Sequence, residues 1–120
     1  MRSNILHLFL FVFVALFLFS CKDTTNQNNT PISIKITQPV ENQVVSDSLL
    51  RIMTEVATSC SCRTHVEFYV NNVLKYSDFL PYYAYDWNIK GITGKYVIAA
   101  RVVVDGEADT WDSVHVSINP

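Results

Sequence analysis

The sequence predicts an all-β protein, folded as a single antiparallel β-sandwich of about seven short strands. Three observations carry that expectation. From Ile32 onward, apolar and polar residues alternate with a period of two, the mark of strands buried on one face. Turn-forming pairs, Asn71-Asn72 and Asp105-Gly106, fall between such runs and suit tight hairpins. No window places apolar residues at helical spacing. A chain of 120 residues has room for one domain of this kind.

Each strand follows from its own alternation. Ile32, Ile34 and Ile36 interleave with Ser33, Lys35 and Thr37 in a first strand that stops at Pro39. Leu50, Ile52, Thr54 and Val56 interleave with Arg51, Met53 and Glu55 in a second. Val66, Phe68 and Val70 alternate with His65, Glu67 and Tyr69 in a third, and the Asn71-Asn72 turn leads into a fourth over Val73–Tyr76. Tyr83, Tyr85 and Trp87 alternate with Ala84 and Asp86. Gly94 opens a long strand with Tyr96, Ile98, Ala100 and Val102 on one face, and Val114, Val116 and Ile118 close the series. Residues 32–120 form the expected domain.

The N-terminal residues have a different character. Met1-Arg2-Ser3-Asn4 carries one positive charge and precedes an apolar run from Ile5 to Phe19, interrupted only by His7. Fifteen residues at helical rise span roughly 22 Å, short of a ~30 Å hydrocarbon core, so residues 1–20 read as a cleaved export signal. Leu18-Phe19-Ser20-Cys21 resembles the lipobox of bacterial lipoproteins, with Phe19 where a small residue is usual. That resemblance implies cleavage before Cys21 and acylation of its thiol and amine, with the acyl chains holding the protein in the outer membrane. Residues 22–31 have no apolar side chain besides Pro31 and read, with Cys21, as a flexible polar tether. Lys22-Asp23 resembles the short charged signals that send some Bacteroidetes lipoproteins to the cell surface, which leaves the surface and periplasmic faces both open. Without Arg2 the nine Lys and Arg residues fall to eight, against eleven Asp and Glu, a net charge of −3. A mildly acidic domain with no basic stripe argues against nucleic acid as a partner.

The strand sequences also carry a family likeness. Val66-Glu67-Phe68-Tyr69-Val70-Asn71-Asn72 resembles the V-E-F-Y-V-N-G stretch of a family of bacterial immunoglobulin-like domains. Pro81 followed by Tyr83-Ala84-Tyr85-Asp86-Trp87 resembles its P-Y-x-Y-x-W strand, with one extra residue before the aromatic pattern. Gly94-Lys95-Tyr96 resembles its G-x-Y strand, and Ile36-Thr37-Gln38-Pro39 its opening I-T-x-P. The likeness runs over residues 32–119 and implies an immunoglobulin-like sandwich. Such domains serve as spacers or binding modules in exported proteins, so a fold of this kind does not specify one role. Tyr96 stands where these folds place a tyrosine that bonds back to backbone.

Few residues point to chemistry. With Cys21 acylated, Cys60 and Cys62 remain as a pair in an oxidising compartment. They admit a local disulfide closing a small, strained ring, an intermolecular disulfide or two thiols, or a redox-active C-x-C centre. A soft-metal site for Cu or Zn, with Cys60 and Cys62 as thiolates and His65 as a nitrogen ligand, is a further reading. Tyr69, Tyr82 and Trp111 lie off the core-facing parities and are candidate binding aromatics for a sugar or protein partner. Asp23-Thr24-Thr25, Asp47-Ser48-Leu49 and Asp112-Ser113-Val114 match the D-[S/T] O-glycosylation pattern of Bacteroidetes. No nucleophile elbow, phosphate loop or catalytic carboxylate pair is present, so neither enzymatic activity nor a cofactor is expected. The function expected first is a lipid-anchored module for protein interaction or spacing in the envelope, followed by glycan binding and then metal handling.

Overall fold

The computed structural model describes residues 31–58, 62–105 and 110–119. The expected signal peptide, Cys21, the tether up to Thr30, Cys60 and the Gly106 half of the second turn lie outside the described residues. Eight strands form: β1 (Ser33–Gln38), β2 (Gln43–Val45), β3 (Leu49–Ala57), β4 (Thr64–Val70), β5 (Val73–Asp78), β6 (Ala84–Asn88), β7 (Gly94–Val104) and β8 (Thr110–Ile118). They make a three-stranded sheet in the order β1-β3-β6 and a five-stranded sheet in the order β2-β8-β7-β4-β5. Among the described residues no helix is long and apolar enough to cross a membrane.

The inner faces of the two sheets form one core. Ile34, Ile36, Leu50, Ile52 and Trp87 face inward from the smaller sheet. Val66, Phe68, Val70, Ile98, Ala100, Val102, Val104, Val114, Val116 and Ile118 meet them from the larger. Phe68, Ile52, Val66, Ile98 and Val102 are wholly withdrawn from water. Each such side chain contributes about 1.5–3 kcal/mol through its burial. The period-two alternation therefore reads directly as inside and outside, and the expected sandwich is the one that forms.

Two features depart from a purely antiparallel arrangement of about seven strands. The first is β2, which runs parallel to β8, with Gln43 opposite Val116 and Val45 opposite Ile118. After the cis peptide Gln38–Pro39 the chain leaves the smaller sheet. Asn42, at φ 62°, turns it toward the larger one, where the Asn42 N–H donates to the His115 carbonyl at 2.8 Å. Three residues are too few to show a period, so this strand is not legible as an alternation.

The second is the early start of β8 at Thr110, four residues before the apolar pattern begins. There an inner position carries Asp112 in place of an apolar residue. Its Oδ2 accepts the Ile36 N–H at 2.7 Å, where the β1–β3 register shifts between Ile36 and Gln38. The carboxylate thus satisfies a backbone donor that the β1 bulge releases, and ties the two sheets together at their β1–β8 edge.

The turns behave as their residues require. Asn71 and Asn72 adopt φ of 47° and 66°, the left-handed pair of a two-residue hairpin between β4 and β5. The Asn71 Oδ1 accepts the Val97 N–H at 2.9 Å, and the Asn71 N–H donates to the Val97 carbonyl at 2.9 Å. Tyr96 donates its hydroxyl to the Thr93 carbonyl at 3.0 Å and meets Trp87 edge-on, 5.4 Å between ring centres. The tyrosine at this corner bonds to backbone as the family resemblance implies.

Phe68→Ala is expected to cost about 3–5 kcal/mol in a denaturant titration, because it empties the middle of the seam between the sheets. Asn71→Ala is expected to cost about 2 kcal/mol by the same measurement, from lost bonding to Val97 and a disfavoured left-handed backbone.

Candidate interaction surface

The outward positions of the five-stranded sheet are set by its register. Glu67 on β4 stands opposite Arg101 on β7, and Arg101 opposite Trp111 on β8. Tyr69 occupies the next outward position on β4, opposite Ala99, which in turn faces Ser113. Four side chains from three strands therefore share one patch in the middle of an open sheet face.

Their contacts hold them in place. Glu67 Oε1 accepts the Tyr69 hydroxyl at 3.1 Å and lies 3.4 Å from the Arg101 guanidinium, and both partners of this ion pair are partly buried. The Arg101 guanidinium sits 5.4 Å from the centre of the Trp111 ring, within cation–π range. Tyr69 packs against the same ring at 5.0 Å between centroids, inclined by 47°. Trp111 nonetheless keeps 50% of its surface exposed, and Val97 beside this row is also exposed. The patch is a large aromatic on the outer face of the sheet, braced from two sides and open outward.

Of the candidate aromatics, Tyr69 and Trp111 are thus brought together and Tyr82 is not. Tyr82 is 94% exposed and lies in the β5–β6 connection, at φ 69°. Phe79 and Leu80 in the same connection are exposed as well. The loop is clamped at its base by one carboxylate: Asp78 Oδ1 accepts the Leu80 N–H at 3.1 Å and Asp78 Oδ2 the Ala84 N–H at 3.0 Å. Arg101, Glu67, Phe79 and Leu80 are not singled out by sequence reasoning. Strand parity places Glu67 and Arg101 outward, but only the register shows that they meet Trp111.

Cys62 is disulfide-bonded, and its partner lies outside the described residues. In that form Cys62 presents no thiolate to a metal. His65 stacks on Phe79, with 4.7 Å between ring centres and 24° between planes. Among the described residues no three His, Cys, Asp or Glu side chains gather as a metal-binding set.

Tyr83 and Tyr85 line the junction of β6 with the β5–β6 connection. Tyr83 donates to the Thr64 carbonyl at 3.4 Å, and Tyr85 stacks on Tyr76 at 5.3 Å. Partial burial raises the pKa of Tyr83 above the ordinary 10.0, and the nearby Asp78 carboxylate adds to the shift. Burial alone raises that of Tyr85. A raised phenol pKa in the folded state means that the unfolded chain ionises first as the pH passes 10.0. Stability is therefore expected to be complete below that pH and to fall above it. A Tyr83→Phe, Tyr85→Phe variant, followed by denaturant midpoint against pH, is expected to lose less over the same range.

This geometry gives the comparisons with known proteins their meaning. No curated protein matches the sequence significantly. Among solved structures, the fibronectin(III)-like modules of Clostridium thermocellum CbhA superpose with a TM-score of 0.62 at 26% identity, over 72% of this chain and 97% of theirs. An engineered protein superposes with a TM-score of 0.54 at 12% identity, over 75% of this chain and 20% of its own, a likeness of fold alone. The bacterial Ig domain family matches residues 33–100, from the first strand to the middle of β7. The two-sheet sandwich, the corner tyrosine and this match agree, and the chain belongs to the bacterial Ig domain family.

Proposed function

We propose that this protein is a non-catalytic lipoprotein, anchored in the outer membrane through acyl chains on Cys21. Its Ig-like domain binds an envelope protein through the outer face of the five-stranded sheet. The observation that carries this reading is the braced Trp111 patch. Trp, Tyr and Arg are the side chains that most often dominate protein interfaces, and here all three meet on an open face. Their mutual contacts lower the entropy lost when a partner docks. Hollows of about 310 Å³ and 430 Å³ lie on the domain, one lined by Tyr96 and His115 and the other by Gln43 and Leu50. Ser117 lines the first hollow together with His115, but the His115 ring bonds to Glu41 Oε1 at 2.7 Å and no hydrogen bond joins it to the Ser117 hydroxyl.

The anchor reading rests on the apolar run and the Leu18-Phe19-Ser20-Cys21 sequence. Cys21→Ser is expected to abolish acylation and leave the first 20 residues attached, as read by intact mass. For the partner, a photocrosslinking residue at Ser113, beside Trp111, is expected to yield one discrete protein adduct in intact cells. The same residue at Arg51, on the outer face of the other sheet, is expected to yield none. Trp111→Ala should remove the Ser113 adduct while leaving the denaturant midpoint within about 0.5 kcal/mol of the parent. Absence of an adduct, with Trp111-dependent retention on a polysaccharide array, would replace the protein partner with a glycan.

A further inference from the structure

The strand directions collect several features at one pole of the sandwich. β1 begins there, with Ser33 opposite Ala57 at the end of β3. β4 begins there, with Thr64 opposite Val104 at the end of β7. β5 ends and β6 begins there, so the connection carrying Phe79, Leu80, Pro81 and Tyr82 also belongs to this pole. Hydrogen bonds from Asp105 N–H to the Arg63 carbonyl and from the Tyr83 hydroxyl to the Thr64 carbonyl join its connections. The chain leading back to Cys21 therefore leaves the domain at the pole that bears its most exposed apolar loop.

That loop has the character of a small membrane-facing tip. Phe79, Leu80 and Tyr82 are 66%, 73% and 94% exposed, and no charged residue lies between Asp78 and Tyr85. The two Asp78 hydrogen bonds and the stacking of Phe79 on His65 hold the tip in shape, with Tyr82 in the left-handed region. Exposed apolar side chains held this rigidly keep unfavourable contact with water unless something covers them. Aromatic rings with a polar end are favoured at the headgroup level of a bilayer, which suits Tyr82.

We infer that the Phe79–Tyr82 loop seats in the lipid surface to which Cys21 is anchored, and so fixes the orientation of the domain on that surface. The inference rests on the anchor reading above. Ten residues, 22–31, separate Cys21 from Ile32 and extend to about 35 Å at most, so the bilayer is always within reach of this pole. Acylation supplies the affinity and raises the effective concentration of lipid at the loop, so a few shallow side chains are enough to bias orientation. The mature chain is net negative, so the seating is apolar rather than electrostatic and does not depend on anionic lipid. Because the loop bridges the β5 and β6 edges, the domain leans on that side. The Trp111 face, which lies along the strands, is then presented laterally, away from the bilayer plane.

The experiment uses the full chain, produced in a host that processes and acylates lipoproteins and reconstituted into phosphatidylcholine vesicles. Mass spectrometry of the N-terminal peptide first reads acylation of Cys21. Tyr82→Trp then reports the loop, Val40→Trp reports an exposed position at the far pole, and the parent chain supplies the background from Trp87 and Trp111. The expected result is a blue shift of the added Tyr82→Trp emission in vesicles and its loss when the lipid carries brominated acyl chains. Val40→Trp should show neither, and added salt or phosphatidylglycerol should not change the outcome. Leu80→Asp in the Tyr82→Trp background is expected to reverse the shift. With Cys21 acylated, equal behaviour of the two probes overturns the inference while leaving the anchor intact. A blue shift that brominated lipid does not quench means that protein covers the loop, which also overturns it. A Cys21 without acyl chains removes the anchor reading and the inference with it.

Discussion

The dry seam between the two sheets, in which Phe68, Ile52, Ile98 and Val102 have lost all contact with water, decides where every other side chain stands. Side chains alternate across a strand, so sinking one parity into the seam commits the other to the surface. A slip of one residue in β4 would expose Val66, Phe68 and Val70 together and bury Glu67 without its partners. The cost of that slip makes the register of β4 against β7 secure. The register, in turn, lines up Glu67, Arg101 and Trp111 across three strands.

Closure at the β1–β8 edge depends on polar groups. The bulge in β1 and the switch of the chain to β2 leave backbone donors that the smaller sheet no longer uses. Asp112 takes the Ile36 N–H, and the His115 carbonyl takes that of Asn42. A polar residue at an inner position is thus a device for joining two sheets, where an apolar one would leave a donor unpaired. Cross-sheet bonds of this kind let β2, the strand that follows Pro39, run alongside β8 in the same direction.

The proposed function rests on two surfaces of the domain. The sheet face carrying Trp111 and the loop carrying Tyr82 differ in how they are stabilised, one by packing within the sheet and the other by the Asp78 carboxylate at its base and the stacking of Phe79 on His65. Separation of the two would leave one free for the proposed partner while the other addresses the proposed membrane surface. A small sandwich can serve both because its strands are stiff and its poles and faces point in different directions.

Most of the fold was legible in the sequence, because burial on one face imposes a period of two that the residues must obey. The strands around Ile34, Ile52, Phe68, Trp87, Ile98 and Val116, the Asn71-Asn72 hairpin and the Gly94 to Tyr96 corner all follow from local pattern. β2 and the first residues of β8 did not, since three residues show no period and Asp112 inverts the expected polarity for the sake of Ile36. Outward parity was also legible for Tyr69 and Trp111. Only the tertiary structure decided that Tyr69 and Trp111 meet under Arg101, that Tyr82 stands apart from them, and that the β5–β6 loop shares a pole with the start of β1. Local sequence sets which face a residue occupies, whereas cross-strand register and strand direction set its neighbours, and those arise only when distant segments pair.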